Sequence, residues 1–405
     1  MDAPLSVSEV AERAGVPASF VEALAAAGAF ERPLDELDGG SVRRAMLLSA
    51  CTDAGLPLDA IASAMRSGHL TLESVDRPYY ERWGGRIDTS WDELSAETGV
   101  PLDFIRQAYE AAGFAVPEPS DHPRADDAEM IEVTRVALGG GFAPDAMVRL
   151  MRVYGESMRR IARTETQMWH EYVDVPAERA GATQREILAT GATFGQAILS
   201  VIDGFTLSIY HRMQEHAWMN DMVEHIELAL VEAGVYERPA RPWTMAFMDI
   251  SGYTALTEER GDEAAADLVT ALAAIVQRVA NRHGGEAMKF LGDGVMFRFR
   301  DAASAVRGAL DVVGATLPAG LPPAHVGMHT GALIERDGDV FGRTVNLASR
   351  LSGRAGPGEV LVTSDIVDAA DGADDVRFDA LGPTTLKGVA DPIEVFRAVP
   401  ARPGG

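Results

Sequence analysis

The sequence predicts an α+β protein whose first half is entirely helical and whose second half alternates strands and helices. From about residue 145 to residue 235, apolar side chains recur at helical spacing. After Pro242 the pattern changes to short apolar runs separated by turns, the first at residues 245–248. Two prolines, Pro239 and Pro242, flank Ala-Arg between these regions and end a helix. We therefore expect a helical domain over residues 1–235 and a second domain over residues 236–405.

The chain is strongly acidic. Its 405 residues carry a formal net charge of −25 at pH 7. A surface of this sign repels phosphate groups, which disfavours nucleic acids and anionic lipid surfaces as partners. A nucleotide substrate remains compatible with this charge, because metal ions and a few well-placed cations offset it locally.

Three features indicate a cytoplasmic protein. Cys51 is the one cysteine, so no intramolecular disulfide can form and a reducing compartment is favoured. The N-terminus lacks the basic start and apolar core of a signal peptide. The most apolar long stretch, residues 194–210, is interrupted by Asp203, which predicts a buried helix rather than a transmembrane segment.

The first half contains an internal repeat. Residues 9–17 resemble residues 93–101, and both runs end in Gly-Val-Pro. Later runs that begin at Gly55 and Gly141 also match each other. Two successive matches at similar offsets indicate a duplication. The two copies span about residues 1–80 and 88–160.

Each copy predicts a helix, a tight Gly-Val-Pro turn and a second helix, which is reminiscent of the helix-turn-helix units of the MerR type. Such units often bind DNA. Here the second helices carry Glu22, Asp103 and Glu110 but a single arginine, Arg106. A helix that enters the major groove needs positive charge for the phosphates. We therefore expect these repeats to be structural, with no nucleic acid partner.

The second half predicts an alternating order that is compatible with a ferredoxin-like sheet. An Asp-Gly pair between two strand-like runs, at Asp293-Gly294, is a strong hairpin signal. The expected helices are 255–283, 302–317 and 345–353, and the expected strands are 245–248, 286–291, 295–300, 325–334, 359–363 and 394–399.

Two aspartates lie where this sheet would bind a polyphosphate. Asp249 ends the first strand and precedes Ile250-Ser251-Gly252-Tyr253-Thr254 and a helix, whose first backbone amides face an anion. Asp293 lies at the tip of the hairpin. Two carboxylates at strand ends beside a phosphate-binding turn make a plausible two-metal site.

Four motifs in order resemble the catalytic domain of the class III nucleotide cyclases, from about residue 242 to residue 399. They are Asp249-Ile-Ser-Gly-Tyr-Thr, Lys289-Phe-Leu-Gly-Asp293-Gly, Asp339-Val-Phe-Gly-Arg-Thr-Val-Asn346-Leu-Ala-Ser-Arg350 and Leu386-Lys387-Gly388. The resemblance implies conversion of ATP to 3′,5′-cyclic AMP and pyrophosphate. Tyr253 and Phe341 replace other aromatic residues that are common in the family.

The resemblance also implies a role for each motif residue. Asp249, Asp293 and the backbone of Ile250 hold two Mg²⁺ or Mn²⁺ ions, and residues 250–254 hold phosphates. Lys289 donates to adenine N1 and Asp339 accepts from the 6-amino group, whereas guanine presents the opposite pattern there. Further along the chain, the residues that complete the reaction centre are Asn346 for the ribose, Arg350 for the phosphoryl charge and Lys387 for the terminal phosphates.

In this family the active site lies between two catalytic domains. One chain supplies the metal aspartates, and the other supplies the adenine pair, Asn346, Arg350 and Lys387. A chain with one complete catalytic domain is therefore expected to form a head-to-tail homodimer with two equivalent sites. Three alternatives remain: a guanylate cyclase, a helix-turn-helix transcription factor with a nucleotide sensor, and a scaffold whose catalytic domain only dimerises.

The first half resembles the regulatory domain of the mycobacterial-type, pH-sensing soluble cyclases, which are autoinhibited. The resemblance implies a helical dimer that controls the catalytic pair. His211, His216 and His225 on the linking helix are candidate proton sensors, because histidine changes charge between pH 5 and 8. Solvated surface histidines are the alternative interpretation. The apolar stretch 194–210 is a candidate binding site for an apolar effector.

Overall fold

The computed structural model of the chain describes residues 4–30, 32–76, 86–237, 242–370 and 373–401. Contacts between residues divide the chain into two compact units, Met1–His225 and Ile226–Gly405. This division lies inside a long helix, before the boundary that the sequence predicts at residue 235. Residues 238–241 of the predicted proline-containing linker lie outside the described residues.

The first unit is helical, as the sequence predicts. A π-helical turn at His170–Asp174 follows its eighth helix. The helices are α1 (Val7–Ala14), α2 (Ala18–Ala26), α3 (Gly39–Asp53), α4 (Leu58–Arg66), α5 (Trp91–Thr98), α6 (Leu102–Ala112), α7 (Ala125–Gly139), α8 (Pro144–Trp169), α9 (Val175–Arg179) and α10 (Gln184–Glu232).

Helices α1–α4 and α5–α8 begin and end in matching ways, which supports a duplication. Helices α1 and α5 each start with a capping box, Ser6 with Glu9 and Ser90 with Glu93. Both end at a glycine in the left-handed conformation, which side chains with a Cβ rarely adopt. Each copy has its own apolar core, the first around Val21 and Leu24 and the second around Trp91, Phe104 and Ile105.

The long helical region departs from the sequence prediction in two ways. It is interrupted by residues 180–183 between α9 and α10. The prediction that residues 194–210 form a buried helix is wrong for the single chain, because Val201 is 64% and Phe205 is 61% exposed. Helix α10 extends for 49 residues, and many of its described apolar side chains are exposed in the single chain.

After the end of α10, the second unit continues with strand β1 at Trp243–Ile250. The elements that follow are α11 (Tyr253–Arg260), α12 (Asp262–Arg282), β2 (Gly285–Leu291), β3 (Gly294–Phe299), α13 (Ala302–Thr316), β4 (Ala324–Gly331), β5 (Ile334–Arg336), β6 (Asp339–Phe341), α14 (Arg343–Ser352), β7 (Val360–Thr363), α15 (Ser364–Ala369), β8 (Val376–Thr384) and β9 (Ile393–Pro400).

Seven strands form one mixed sheet in the order β2-β3-β1-β4-β7-β9-β8. The first four strands, with α12 and α13 as connections, have the ferredoxin-like order that the sequence predicts. Strand β7 runs parallel to β4, and the antiparallel pair β9-β8 extends the sheet beyond it. The second unit therefore combines a ferredoxin-like core with a C-terminal extension.

The sheet has two different faces, because residues along a strand alternate between them. On β1, the residues Ala246, Met248 and Ile250 join the main core with α12 and α13, and we call this side the helix face. The alternate residues Met245, Phe247 and Asp249 lie on the opposite side, which we call the site face. There a small apolar cluster joins the sheet to β6 and α14, through Met245, Met296, Val340 and Ala348.

Two predicted elements have different bounds in the structure. The helix predicted over 255–283 is broken at Gly261, whose φ of 84° separates α11 from α12. The strand predicted over 325–334 ends at Gly331, and a separate hairpin, β5–β6, follows it. This hairpin was missed because each of its strands has only three residues, too few for a periodic pattern.

One helix among the described residues, at 264–282, is long and apolar enough to cross a membrane by composition. It belongs to α12, and its residues Leu272, Val276 and Ala280 are fully buried in the helix-face core. Its apolar side thus packs against the sheet.

Candidate active site

The two predicted metal-binding carboxylates lie together at one end of the sheet. Asp249 precedes the last residue of β1, next to Met248, which pairs with Val295 of β3. Asp293 lies in the tight turn between β2 and β3. A Cβ placed on Gly294 would lie 3.6 Å from an Asp249 carboxylate oxygen. Burial raises the pKa of Asp293, and the negative charge of Asp249 raises it further. Their mutual repulsion makes the pair a suitable ligand for a cation.

The turn after Asp249 leads directly into α11. Gly252 adopts φ 79° as the residue before this helix. The backbone N–H of Ile250 donates to Asp249 Oδ1 over 3.0 Å, and that of Ser251 donates to the carbonyl oxygen of Pro323 over 3.0 Å. Tyr253 packs against the main core. The side chain of Thr254 lies outside the described residues.

The predicted base-reading residues lie in direct contact. Lys289 on β2 donates through Nζ to Asp339 Oδ2 over 2.6 Å, although the two residues are fifty positions apart. This hydrogen bond holds the pKa of Asp339 below its usual value, assisted by a backbone hydrogen bond from Val340. Asp339 is therefore ionised near neutral pH and acts only as a hydrogen-bond acceptor.

A β-bulge sets the direction of Lys289. Strand β2 pairs Ala287 with Phe297 and then Lys289 with Met296, so Met288 is the extra residue. Without the bulge, alternation would place Lys289 on the helix face. With it, Lys289 lies on the same side as Met296, which belongs to the site-face cluster.

Helix α14 carries Asn346 and Arg350 on one face, since they are four residues apart. Both are exposed in a cleft of about 460 Å³ that is also lined by Arg343, Gly388 and Asp391. A Cβ on Gly388 would lie 3.3 Å from the guanidinium of Arg350, so this arginine lies against the loop that contains Lys387.

The close approach of α14 to the sheet depends on a glycine of β4. A Cβ placed on Gly327 would lie 1.8 Å from the backbone nitrogen of Ser352. A side chain there would push the helix outward, and Asn346 and Arg350 would move with it. Gly327 therefore fixes the distance between the reaction residues and the sheet.

The predicted site residues thus form three groups: the carboxylates Asp249 and Asp293, the pair Lys289–Asp339, and the cleft of Asn346 and Arg350. Within the described parts of the chain, the cleft is lined by neither the carboxylates nor the base-reading pair. A site that needs all three groups around one nucleotide is therefore not assembled in that cleft.

His325 is a site residue that sequence reasoning missed. It pairs with Asp249 across β1 and β4, and its Nδ1 lies 3.1 Å from the hydroxyl oxygen of Ser251. Strand β4 also contains His329 and Thr330, so a polar residue in this strand gave no distinct signal. His325 connects β4 to the turn that we expect to hold phosphates.

The donor set fits a hard divalent cation better than zinc. No group of three or more histidine, cysteine or carboxylate side chains that would hold a metal occurs among the residues described. Two carboxylates beside a backbone turn suit Mg²⁺ or Mn²⁺, since Mg²⁺ keeps several waters and shares its remaining ligands with substrate phosphates. Burial and the charge of Asp249 both raise the pKa of Asp293, and a bound cation would offset both effects.

Comparison with known proteins agrees with this geometry. Residues 235–397 match the family described as the adenylate and guanylate cyclase catalytic domain. The second half of this chain is a class III nucleotide cyclase domain. The match includes all the predicted site residues and both strands of hairpin β5–β6, and it leaves the helical first half uncovered.

Similarity to other proteins also covers part of the first half of this chain. An uncharacterized protein of Mycobacterium tuberculosis, Rv2212, is 29% identical over 367 residues, which cover 87% of this chain and 89% of the relative. The pH-sensitive adenylate cyclase MT1302 of the same species is 29% identical, over 75% of this chain and 76% of that protein.

The crystal structure of the adenylyl cyclase CyaB from P. aeruginosa matches 40% of this chain and 95% of its own, with 27% identity and a TM-score of 0.36.

Proposed function

We propose that this protein is an adenylate cyclase, which converts ATP to 3′,5′-cyclic AMP and pyrophosphate. The observation that carries the proposal is the Lys289–Asp339 pair on the site face. Lysine donates a hydrogen bond to adenine N1, and an ionised aspartate accepts one from the 6-amino group. Guanine presents a donor at N1 and an acceptor at position 6, so both contacts would be lost.

Asp249, Asp293 and the backbone carbonyl of Ile250 would hold two Mg²⁺ or Mn²⁺ ions. When bound, such ions supply positive charge to the triphosphate and to the ribose 3′-hydroxyl. The chain's own residues then orient the substrate. The turn 250–254 binds phosphates, Asn346 orients the ribose, and Arg350 and Lys387 offset charge on the phosphates.

Product analysis tests the base preference. We expect the wild-type protein to form cyclic AMP from ATP and little cyclic GMP from GTP. The variant Lys289→Glu replaces a donor by an acceptor, and it should lower kcat/KM for ATP by about 100-fold, as expected for a lost pair of base contacts. Equal use of ATP and GTP by the wild type would contradict the proposed preference for adenine, and a preference for GTP would favour the guanylate cyclase alternative.

We further propose a homodimer with composite sites, which accounts for the separation of the site residues in one chain. Mixing two inactive variants, Asp249→Asn and Arg350→Ala, tests it. Each heterodimer would contain one intact site and one doubly damaged site. With random pairing, the mixture should recover about a quarter of wild-type activity, because half the dimers carry one intact site out of two. No recovery on mixing would contradict the composite site.

The first unit is proposed to regulate the catalytic domain in response to pH, and an apolar effector along the exposed stripe of α10 is a second candidate. The resemblance to MT1302 and the position of His211, His216 and His225 on α10 support the pH proposal. His225 Nε2 lies 3.6 Å from Asp221 Oδ2, and His216 Nε2 lies 3.3 Å from Asn220 Nδ2.

The protein is also proposed to be cytoplasmic. ATP as substrate and a single cysteine support this location.

Replacing all three histidines by glutamine should flatten the pH profile of cyclic AMP formation between pH 5 and 8. The isolated residues 236–405 serve as a comparison that lacks the histidines altogether. If the triple variant keeps the wild-type pH profile, these histidines are not the proton sensor.

A further inference from the structure

Arg298 on β3 connects three elements of the site face. Its Nε donates to Glu286 of β2 over 2.7 Å, and its Nη1 lies 3.0 Å from Glu335 of β5. Its guanidinium carbon lies 4.8 Å from the ring centre of Trp243, the first residue of β1. The side chain is 19% exposed, so these contacts hold it in one place.

The bulge at Met288 aligns this network with the base-reading pair. Glu286 lies opposite Arg298, and Lys289 lies opposite Met296, two residues earlier on β3. Glu286 and Lys289 therefore lie on the same face, despite their odd spacing in the sequence. Arg298 and Lys289 are neighbours along the site face of the β2–β3 hairpin.

Hairpin β5–β6 is joined to the sheet by two ion pairs. The carboxylate of Asp339, on β6, forms an ion pair with Lys289. The carboxylate of Glu335, on β5, forms an ion pair with Arg298. Within the hairpin, Glu335 lies opposite Val340, the residue after Asp339. A shift of Glu335 relative to Arg298 would therefore move Asp339 relative to Lys289.

In the proposed adenylate cyclase, base binding would change the balance between these two ion pairs. Lys289 and Asp339 would each direct a hydrogen bond to the base, which would weaken their own bond of 2.6 Å. The Arg298–Glu335 pair would remain and would hold the hairpin near β3.

We propose that Arg298, through Glu335 and Glu286, positions Asp339 against Lys289 and thereby sets the preference for adenine over guanine. This proposal rests on the adenylate cyclase function proposed above. Arg298 is a positioning residue, because it acts through Asp339 and does not itself touch the substrate.

The variant Glu335→Gln tests the proposal with little risk to folding, because Glu335 is half exposed and glutamine keeps its shape. We expect KM for ATP to rise about three- to tenfold, with kcat changed about twofold or less, as expected for coupling through a neighbouring element. The ratio of cyclic AMP to cyclic GMP formed from equal ATP and GTP should fall by a similar factor. Arg298→Lys should show the same change, because lysine lacks the planar fork that bonds two carboxylates.

Two control variants distinguish a positioning role of Arg298 from a general effect on protein stability. Asp375→Asn weakens another arginine–carboxylate ion pair, 2.8 Å to Arg307 on α13, and should leave the nucleotide ratio unchanged. In an Asp339→Asn background, Glu335→Gln should cause no further loss of preference, because the residue through which it acts is already altered.

The outcomes distinguish the two proposals. A wild type that forms no cyclic AMP from ATP would overturn the proposed function, and this inference with it. An active wild type whose nucleotide ratio is the same in Glu335→Gln and Arg298→Lys would overturn the positioning role alone. Equal losses of ATP and GTP turnover in Glu335→Gln would likewise show that Arg298 has a structural role and does not set the base preference.

Discussion

The two faces of the central sheet perform different tasks, although they share the same strands. On β1, Ala246, Met248 and Ile250 join α12 and α13 in an almost wholly apolar core. Phe247 and Asp249 point the other way, toward a smaller apolar cluster and the charged site residues. The larger apolar core lies on the helix face, and the proposed chemistry lies on the site face. Mutations on the two faces should therefore separate the free energy of unfolding from activity.

The largest expected effect is on the site face, in the variant Asp249→Asn. Loss of this carboxylate should reduce cyclic AMP formation at least about 1,000-fold, which corresponds to about 4 kcal/mol in the barrier. The unfolding free energy at pH 7 should stay equal or rise, because the charge of Asp249 contributes to the raised pKa of Asp293. Activity assays and urea unfolding measure the two effects. A large loss of stability would contradict the idea that the two faces contribute separately to stability and activity.

On the helix face, the variant Leu272→Ala should lower stability and leave the binding of ATP unchanged. Leu272 is fully buried in the core between α12 and the sheet. Its truncation should lower the unfolding free energy by about 2–5 kcal/mol, measured by urea unfolding. KM for ATP of the folded protein should stay close to the wild-type value. A tenfold rise in KM would show that the core also tunes the site.

A smaller effect on the helix face is expected from the cap of α13. The carboxylate of Asp301 accepts from the backbone N–H of Ser304 over 2.7 Å. Asp301→Ala should cost about 1 kcal/mol of stability, which is typical of a lost N-cap, with unchanged kcat. Asp301→Asn is the matched control, because asparagine caps a helix almost equally well.

The smallest expected effect is a pH dependence of stability from His329 on the site face. Burial lowers the pKa of His329, despite the nearby Asp365, and its Nδ1 lies 2.8 Å from the hydroxyl oxygen of Thr363. Because the folded pKa lies below the unfolded value of about 6.5, its contribution is complete above that pH. It is lost as the pH falls through the folded pKa. His329→Gln should flatten this part of the curve of unfolding free energy between pH 5 and 7.5. If the unfolding free energy of that variant depends on pH as in the wild type, another group is responsible for the titration.

The sequence predicts the helix face better than the site face. The strand and helix order of the ferredoxin-like core could be read from apolar periodicity, since each element buries a regular stripe. The motif residues Asp249, Asp293, Lys289 and Asp339 could be named in advance. The contact between Lys289 and Asp339 could not be derived from periodicity, because it joins residues fifty positions apart through a bulge and a three-residue hairpin.

Residues outside a motif were missed for a related reason. His325 and Arg298 have no local signal, since their roles arise from the strands that pair beside them. The exposure of Val201 and Phe205, inside the predicted buried stretch 194–210, was also missed. An apolar stripe has the same sequence pattern whether it packs inside one chain or remains on its surface.

The bulge at Met288 limits how this domain can change over many generations. Lys289 pairs with Met296 because the bulge absorbs one residue, so the face on which Lys289 lies depends on the bulge and the strand length together. Loss of the bulge at constant length would turn Lys289 to the helix face, away from Asp339, whereas deletion of Met288 together with the bulge would leave Lys289 on the site face. Lineages of this domain are therefore expected to keep the bulge, or to lose it only together with one residue of the strand.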